Sequence, residues 1–370
     1  MATFVRGIYI LDDYSALRHA IGKQATLFPP RDAWMYFEKS RLGGRGPAFL
    51  GETHYLADNP PYGAVFSYYL PAALNTLKKQ RSEREKPLKK AGKDTPYPSW
   101  DALRKEADEA KPGVQLTVTD SDGNVVRRLS GPTSKGFHRV AWDMRLPAYD
   151  PIRLKKRKSN PFFSEPTGPL VMPGRYTVTL TQRVRGVSTS LSGPQAFSLK
   201  LYSNASLAAK DRAGVLAFQK RSGELLRAVL GANRVLDEVG KRLKFLSKAL
   251  AETPAARGAW RDDIDHLQGR LRSLKRDMNG DDVVAHHNEP TTPGIRQRVQ
   301  NVVYGNWESS AGPTQTHRDN YALAAKQFGP WLDELRKLAQ QDLPAFEQRM
   351  DQAGAPWTPG RFPTWTDKPR

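Results

Sequence analysis

The chain has 370 residues, enough for two or three domains with cores of their own, and its 38% hydrophobic and 26% charged residues describe a folding rather than a disordered polypeptide. It contains no cysteine, which excludes disulfides, zinc–thiolate sites and thiol nucleophiles, and no run of eighteen apolar residues that could span a membrane. The 58 Lys and Arg against 38 Asp and Glu give a net charge of +20, a balance suited to a polyanion, yet its concentrations at 78–90 and 153–158 lack interleaved aromatics and are better explained as solvated surface.

The first residues, MATFVRGIYILDDYS, lack the basic-then-apolar pattern of a signal peptide and predict a strand through Val5, Ile8 and Ile10 that turns at Asp12 and Asp13. In NPPYGAVFSYYL (59–70) two prolines forbid a helix and Pro71 ends the run, so the segment predicts a strand with Val65 on one face and Phe66, Tyr68 and Leu70 on the other. Residues 72–112 are charged, poor in large apolar side chains and interrupted at Pro87, Pro96 and Pro98; they predict two short charged helices around a flexible loop, inserted at the surface.

Beyond the insertion the period-2 pattern resumes. VQLTVTDSDGNVVRRLS is a hairpin turning at Asp122-Gly123, and GFHRVAWDM is a third run with Phe137, Val140 and Trp142 as inward residues. After a basic, proline-rich loop (145–170), MPGRYTVTLTQRVRGVSTSLSG gives a hairpin turning at Arg185-Gly186, and QAFSLKLY closes the set. Short strands separated by turn signals predict a β-sandwich of immunoglobulin or fibronectin type III style over 59–202.

From Ser206 the period lengthens. Val215, Phe218, Ser222, Leu225, Val229, Ala232, Leu236, Val239, Leu243, Leu246 and Leu250 form a heptad seam, predicting one helix over 206–252 that Thr253-Pro254 ends. Gly214, Gly223, Gly231 and Gly240 inside it imply close packing, a bend or a break. Ile264, Leu267, Leu271, Leu274 and Met278 mark a second helix, and Tyr321, Ala324, Phe328, Trp331, Leu335 and Leu338 a third. The simplest arrangement is an antiparallel bundle with a long first helix over 203–350, followed by a Pro/Trp-rich tail (351–370) whose Trp357 and Trp365 press back onto a domain.

The chemical inventory is thin. The seven histidines form no recognisable set, and there is no G-x-S-x-G, phosphate-binding glycine loop or HExxH. Asp281, Asp282, His286, His287 and Glu289 in DDVVAHHNEP are the one candidate group of oxygen and nitrogen metal ligands, although no known ligand spacing occurs there and a polar loop between helices explains them better. Asp12 and Asp13 are adjacent and diverge, Asp143 sits at a strand end, and LGGRG (42–46) lacks a following Lys-Ser/Thr, so none makes a catalytic pair or a phosphate loop. FFSEP (162–166) and the aromatics Tyr68, Tyr69, Trp100 and Trp142 are candidates to line a sugar- or peptide-binding face; Tyr68 and Trp142 fit a core better, which leaves Tyr69 and Trp100 as the candidate ligand surface. No cofactor is expected.

Several of these stretches resemble a known family. RGIYILDDYSALR resembles the closing strand of a sortilin-like β-propeller built from bacterial neuraminidase-type repeats, which in large secreted bacterial proteins runs on into a segment like LFPPRDAW (27–34). NPPYGAVFSYYL then looks like the start of the C-terminal β-sandwich, DSDGNVVRRLSGPTSKGFHRVAWDMR and PGRYTVTL like a hook-capping-type immunoglobulin-like module, and TPGIRQRVQNVVYGNWESSAGPTQTH like the family's helical C-terminal region. The resemblance implies that residues 1–58 are the remnant of a last blade and connector, that the propeller blades belong upstream, and that the natural setting is secreted or periplasmic, although no signal peptide stands in this chain.

The expected function is a non-catalytic accessory region that packs against an upstream propeller domain or polypeptide and contacts protein or glycan, with no membrane span. The first alternative is part of a glycoside hydrolase or sialidase-like enzyme whose catalytic blades lie upstream. The second is a nucleic-acid-binding protein using the +20 charge.

Overall fold

The computed structural model describes residues 13–19, 22–37, 59–155, 165–202, 208–365 and 367. The predicted strand through Val5, Ile8 and Ile10, the LGGRG segment and Phe162 and Phe163 of FFSEP lie outside the described residues. The chain divides into two compact units, one holding the strands and one holding the long helices, and each has its own buried core.

In the sheet unit, β1 (Thr26–Leu27), β3 (Ala64–Leu70) and β6 (Gly136–Trp142) make a three-stranded antiparallel sheet in the order β1-β3-β6. A separate five-stranded sheet has the order β2-β8-β7-β4-β5, formed by β2 (Ala33–Met35), β4 (Gly113–Asp120), β5 (Val125–Gly131), β7 (Gly174–Val184) and β8 (Val187–Leu201). Its outermost pair, β2 with β8, is parallel, Trp34 lying opposite Lys200. The hairpin turns fall where the glycines require them: Gly123 has φ 84°, and Arg185-Gly186 has φ 51° and 81°, the geometry of a tight turn between β7 and β8.

This corrects the expected fold class. The chain is not an immunoglobulin- or fibronectin type III-like sandwich followed by an antiparallel helical bundle, but a mixed α/β structure with a curled five-stranded sheet and a distinct three-stranded sheet. The reason lies in two pairings. β2, which the sequence placed in the connector, adds to β8 in parallel, and β3, expected to lead a sandwich into β4, pairs instead with β1 and β6. A further correction concerns β6. Residues one apart on a strand face opposite ways, so Phe137 cannot share a face with Val140 and Trp142. Trp142 is fully buried, whereas Phe137 is 39% exposed and stacks on Phe28 with centroids 5.6 Å apart.

The core of the sheet unit is aromatic. Trp142 packs edge-on against Tyr176 (5.7 Å) and Phe197 (6.4 Å), and Phe66 against Phe197 (5.3 Å). Tyr68 is buried with its hydroxyl donating to the Pro132 carbonyl at 2.6 Å, and Gly131 beside it has no room for a Cβ, which would stand 2.4 Å from that hydroxyl.

The insertion folds as two helices, α1 (Leu77–Lys90) and α2 (Trp100–Asp108), capped by Thr76 and Ser99. Pro87 does not break α1; it lies inside its last turn. Neither helix buries a residue, so a salt-bridge network holds the pair in place of a core. Arg81 makes a two-pronged contact with Glu106 (2.7 and 2.8 Å) and a further bond to Glu85 (2.9 Å), and Glu109 accepts from the Leu77 N–H at 2.6 Å.

In the helical unit, α3 (Arg212–Ala251) is one unbroken helix of 40 residues, starting six residues later than the heptad seam suggested because Asp211 caps it through the Gly214 N–H. It is joined by α4 (Ala259–Asn279), the short α5 (Asp282–His286), α6 (Ile295–Trp307), α7 (Gln315–Lys337) and, after one π turn over Leu338–Asp342, α8 (Leu343–Gln352). The expected three-helix antiparallel bundle missed α6, whose Ile295, Val299, Val303 and Trp307 enter the same core as α3, α4 and α7. Among the described residues no helix is long and apolar enough to cross a membrane. The tail also differs from expectation: Trp357 and Trp365 are 58% and 84% exposed, while Arg361 is 7% exposed, donating to the carbonyls of Ala355 and Pro356 and pairing with Asp351.

Two expected outcomes follow from these contacts. Arg242 of α3 and Glu347 of α8 form a largely buried two-pronged ion pair (Nε–Oε1 3.0 Å, Nη2–Oε2 2.5 Å), and Glu347→Ala, which strands the guanidinium, should cost about 3–5 kcal/mol in urea unfolding of the full chain. In the insertion, hydrogen bonds from Arg81 hold the Glu106 and Glu85 carboxyls below the usual glutamate range, with Lys89 adding to the effect at Glu85. A depressed carboxyl stabilises above its ordinary pKa and loses that contribution as pH falls through the folded value. Amide exchange of residues 77–108 should therefore accelerate selectively below about pH 4, and Glu106→Gln should produce the same acceleration at neutral pH.

Candidate functional site

The candidate metal ligands lie along α5 and its exit. Asp281 caps α5, accepting from the N–H groups of Val283 and Val284, and pairs with Arg276 at 3.5 Å. His286 bonds through Nδ1 to the Asp282 carbonyl oxygen at 2.6 Å, and Glu289 and His287 lie in the turn beyond; the stretch is a short helix and its exit, not a loop. Among the described residues no group of three or more His, Asp or Glu side chains is placed to hold a metal ion. Asp281 does border a cavity of about 720 Å³ in the helical unit, floored by Leu274, Ile295, Pro330 and Trp331.

Tyr69 and Trp100 belong to different aromatic groups. Tyr69 leans on Phe137, with centroids 5.3 Å apart, on the face of the three-stranded sheet opposite its core. Trp100 opens α2 and is 69% exposed, in contact with Tyr97 at 6.1 Å.

The largest gathering of exposed rings is elsewhere, at the β2 edge of the five-stranded sheet. Strand β2 alternates Ala33 inward, Trp34 outward, Met35 inward, and the chain continues with Tyr36 outward. Leu199 of β8 points inward, so Lys200 and Tyr202 point outward beside them. Trp34 meets Tyr202 edge-on (6.4 Å), Tyr202 meets Tyr36 (6.4 Å), and Tyr36 meets Tyr62 (4.9 Å), leaving Trp34, Tyr36 and Tyr202 each about half exposed. The Tyr62 hydroxyl accepts from the Tyr36 N–H and donates to the Tyr36 carbonyl, closing the backbone at that point of an otherwise open edge. Asp32 is fixed just before Trp34: its carboxyl accepts from Lys200 Nζ at 2.7 Å and from the Ser198 N–H at 2.9 Å, and these bonds hold it below the usual aspartate range.

The rings continue onto the polar outer surface of the curled sheet. With Val114, Leu116, Val118, Tyr176, Val178, Leu180, Phe197 and Leu199 buried, the alternate positions of the same strands face outward. They include Gln115, Thr117 and Thr119 on β4, Val125, Arg128 and Ser130 on β5, Arg175, Thr177, Thr179, Thr181 and Arg183 on β7, and Ser188, Ser190, Ala196, Ser198 and Lys200 on β8. The Thr119 and Thr177 hydroxyls bond to each other, and Thr181 donates to the Gln115 carbonyl. The result is a surface of hydroxyl, amide and guanidinium groups bounded by an aromatic edge.

The perturbed tyrosines of the sheet unit are structural: burial pushes Tyr68 and Tyr176 up to about 12, so each hydroxyl stays protonated and donates to a carbonyl, that of Pro132 and of Met172 respectively. The aromatic edge went unread in the sequence because LFPPRDAW was taken as a connector. The signal was present in the alternation Ala-Trp-Met-Tyr (33–36), which places large rings on the parity opposite the small apolar residues.

Comparison of the chain with protein-family models, with curated proteins and with solved structures returned no match. The clamp on Tyr36 is open to direct test: Tyr62→Phe removes both hydrogen bonds and should lower stability by about 1 kcal/mol, with faster exchange of the Tyr36 amide as the local readout.

Proposed function

We propose that the sheet unit is a non-catalytic glycan-binding module, acting as the accessory part of a larger propeller-bearing protein of the kind its sequence resembles. One observation carries the reading: the half-exposed rings of Trp34, Tyr36 and Tyr202 stand side by side at the rim of an outward sheet face made of threonine, serine, glutamine and arginine. A pyranose ring presents apolar C–H faces and a belt of hydroxyls. Exposed aromatic faces match the first, and fixed hydroxyl, amide and guanidinium groups match the second. The rings lose little freedom on binding, since each has only two side-chain torsions and already leans on a neighbour.

Protein binding is the second reading, favoured by the open edge of β2, where an extended peptide could add as a strand. The Tyr62 clamp on Tyr36 opposes it by occupying the outward backbone groups that such a strand would need.

Binding of the full chain to a panel of immobilised polysaccharides tests the proposal. Trp34→Ala and Tyr202→Ala should each weaken binding about tenfold, about 1.4 kcal/mol, with unchanged thermal melting. Tyr97→Ala and Trp100→Ala, in the insertion, should leave binding intact. Absence of binding to every polysaccharide, or equal loss in the insertion variants, overturns it.

A further inference from the structure

We infer that the glycan is anionic, a polysaccharide bearing carboxylate groups; the inference rests on the glycan-binding reading and names its substrate class. The outward face of the five-stranded sheet has a marked charge bias. Arg128, Arg175 and Arg183 project from it, all three exposed, and the guanidinium group of none makes an ion pair or hydrogen bond with a described residue. Lys200 adds a fourth cation, but Asp32 neutralises it at 2.7 Å. No Asp or Glu occupies an outward position of β4, β5, β7 or β8. Elsewhere in the chain the arginines are commonly paired: Arg81 with Glu85 and Glu106, Arg242 with Glu347, Arg270 with Glu334 and Asp342, Arg349 with Asp263. Among the described residues this face is therefore a place where guanidinium groups are held without acidic partners.

Their positions follow from strand register. Arg175 and Arg183 lie eight residues apart on β7, a span of about 26 Å at ~3.3 Å per residue. Thr179 is their midpoint; it pairs with Thr117 on β4, and Thr117 pairs with Arg128 on β5. Arg128 thus stands level with the midpoint and two strands away, about 10 Å at ~4.8 Å per strand. Three cations at the corners of a shallow triangle, with threonine hydroxyls between them, fit a chain that carries a negative group at intervals and hydroxyls in between. Arginine at all three corners supplies a planar fork that meets a carboxylate through two parallel hydrogen bonds. Arg175 lies opposite Ser198, next to the Trp34–Lys200 pair, so the charged face and the aromatic rim are continuous.

The test uses the full chain with polygalacturonate, a panel of neutral glucans and mannans, and a single-stranded DNA oligonucleotide. Polygalacturonate is expected to bind tightest, with affinity falling as salt rises, since releasing counterions is part of its binding. The triple variant Arg128→Gln, Arg175→Gln, Arg183→Gln should lose at least about tenfold in polygalacturonate affinity and flatten the salt dependence, with unaltered melting. The same variant should keep whatever neutral-glycan binding the wild type shows, whereas Trp34→Ala should weaken neutral and acidic glycans alike. Neutral glycans binding as tightly as polygalacturonate would overturn the anionic inference and leave the glycan-binding reading standing. Absence of any glycan binding overturns both. DNA binding more tightly than polygalacturonate, or a triple variant with full polygalacturonate affinity, would also overturn it.

Discussion

The aromatic cluster inside the sheet unit decides what its outside can be. Trp142, Tyr176, Phe197 and Phe66 interlock with centroids 5.3–6.4 Å apart, mostly edge-to-face, and Trp142 further anchors its indole N–H to the Arg145 carbonyl at 3.0 Å. Because side chains alternate along a strand, burying Tyr176 and Phe197 on one face sends Arg175, Thr177, Ser198 and Lys200 to the other. A slip of one residue would drive arginines into the core and rings into water, a penalty far larger than any gain in pairing. The outward display of guanidinium and hydroxyl groups is therefore not an independent feature. It is the obligatory reverse side of a core that tolerates only one register.

The helical unit obeys a different constraint, the close approach of α3 to what packs on it. At Gly223 a Cβ would lie 2.5 Å from the Tyr149 ring, whose other neighbour is Trp307 at 5.7 Å. Glycine is needed there to admit an aromatic side chain against the helix backbone, which offsets its helix penalty of about 1 kcal/mol. Gly240 similarly lets Leu271 of α4 approach to 3.3 Å of where a Cβ would stand. Gly231 has nothing within 4 Å and no packing explanation. The helix stays continuous through all of these, so close packing accounts for two of the interior glycines and breaks account for none.

How far the sequence could be read depended on whether a pattern was local. Alternation in AVFSYYL, the turns at Gly123 and Gly186, the charged helices of the insertion and the seam of α3 were legible, because each is set by neighbours within a few residues. Pairing was not. Nothing in RDAWMY states that β2 will lie parallel to β8, some 165 residues later, and that partnership is what makes the expected sandwich wrong. The same limit explains the site. Tyr69 and Trp100 stood out because they are large rings in distinctive stretches, but they end in separate groups. Trp34, Tyr36, Tyr62 and Tyr202 become one surface only when β2 docks. In the helical unit α6 was passed over for a related reason: its short apolar repeat is bracketed by Pro293 and Gly312, which made it look like part of a connection.

Charge shows the same contrast between sequence neighbours and spatial neighbours. The basic run 78–90 is the densest in the described chain, yet its Arg81 is committed to Glu85 and Glu106, because without a core those two helices have little else to hold them. Arg128, Arg175 and Arg183 are scattered over 56 positions and look unremarkable in the sequence, but strand register collects them on one surface with no acidic side chain between them. Keeping three guanidinium groups without an acidic partner among the described residues brings no folding benefit and adds self-repulsion to a chain already at +20. A short edge strand, a polar outer face and a few acidic residues would have sufficed for solubility. The absence of those acids is what distinguishes this face from an ordinary solvated one, and it is the physical reason for assigning the face a negatively charged occupant.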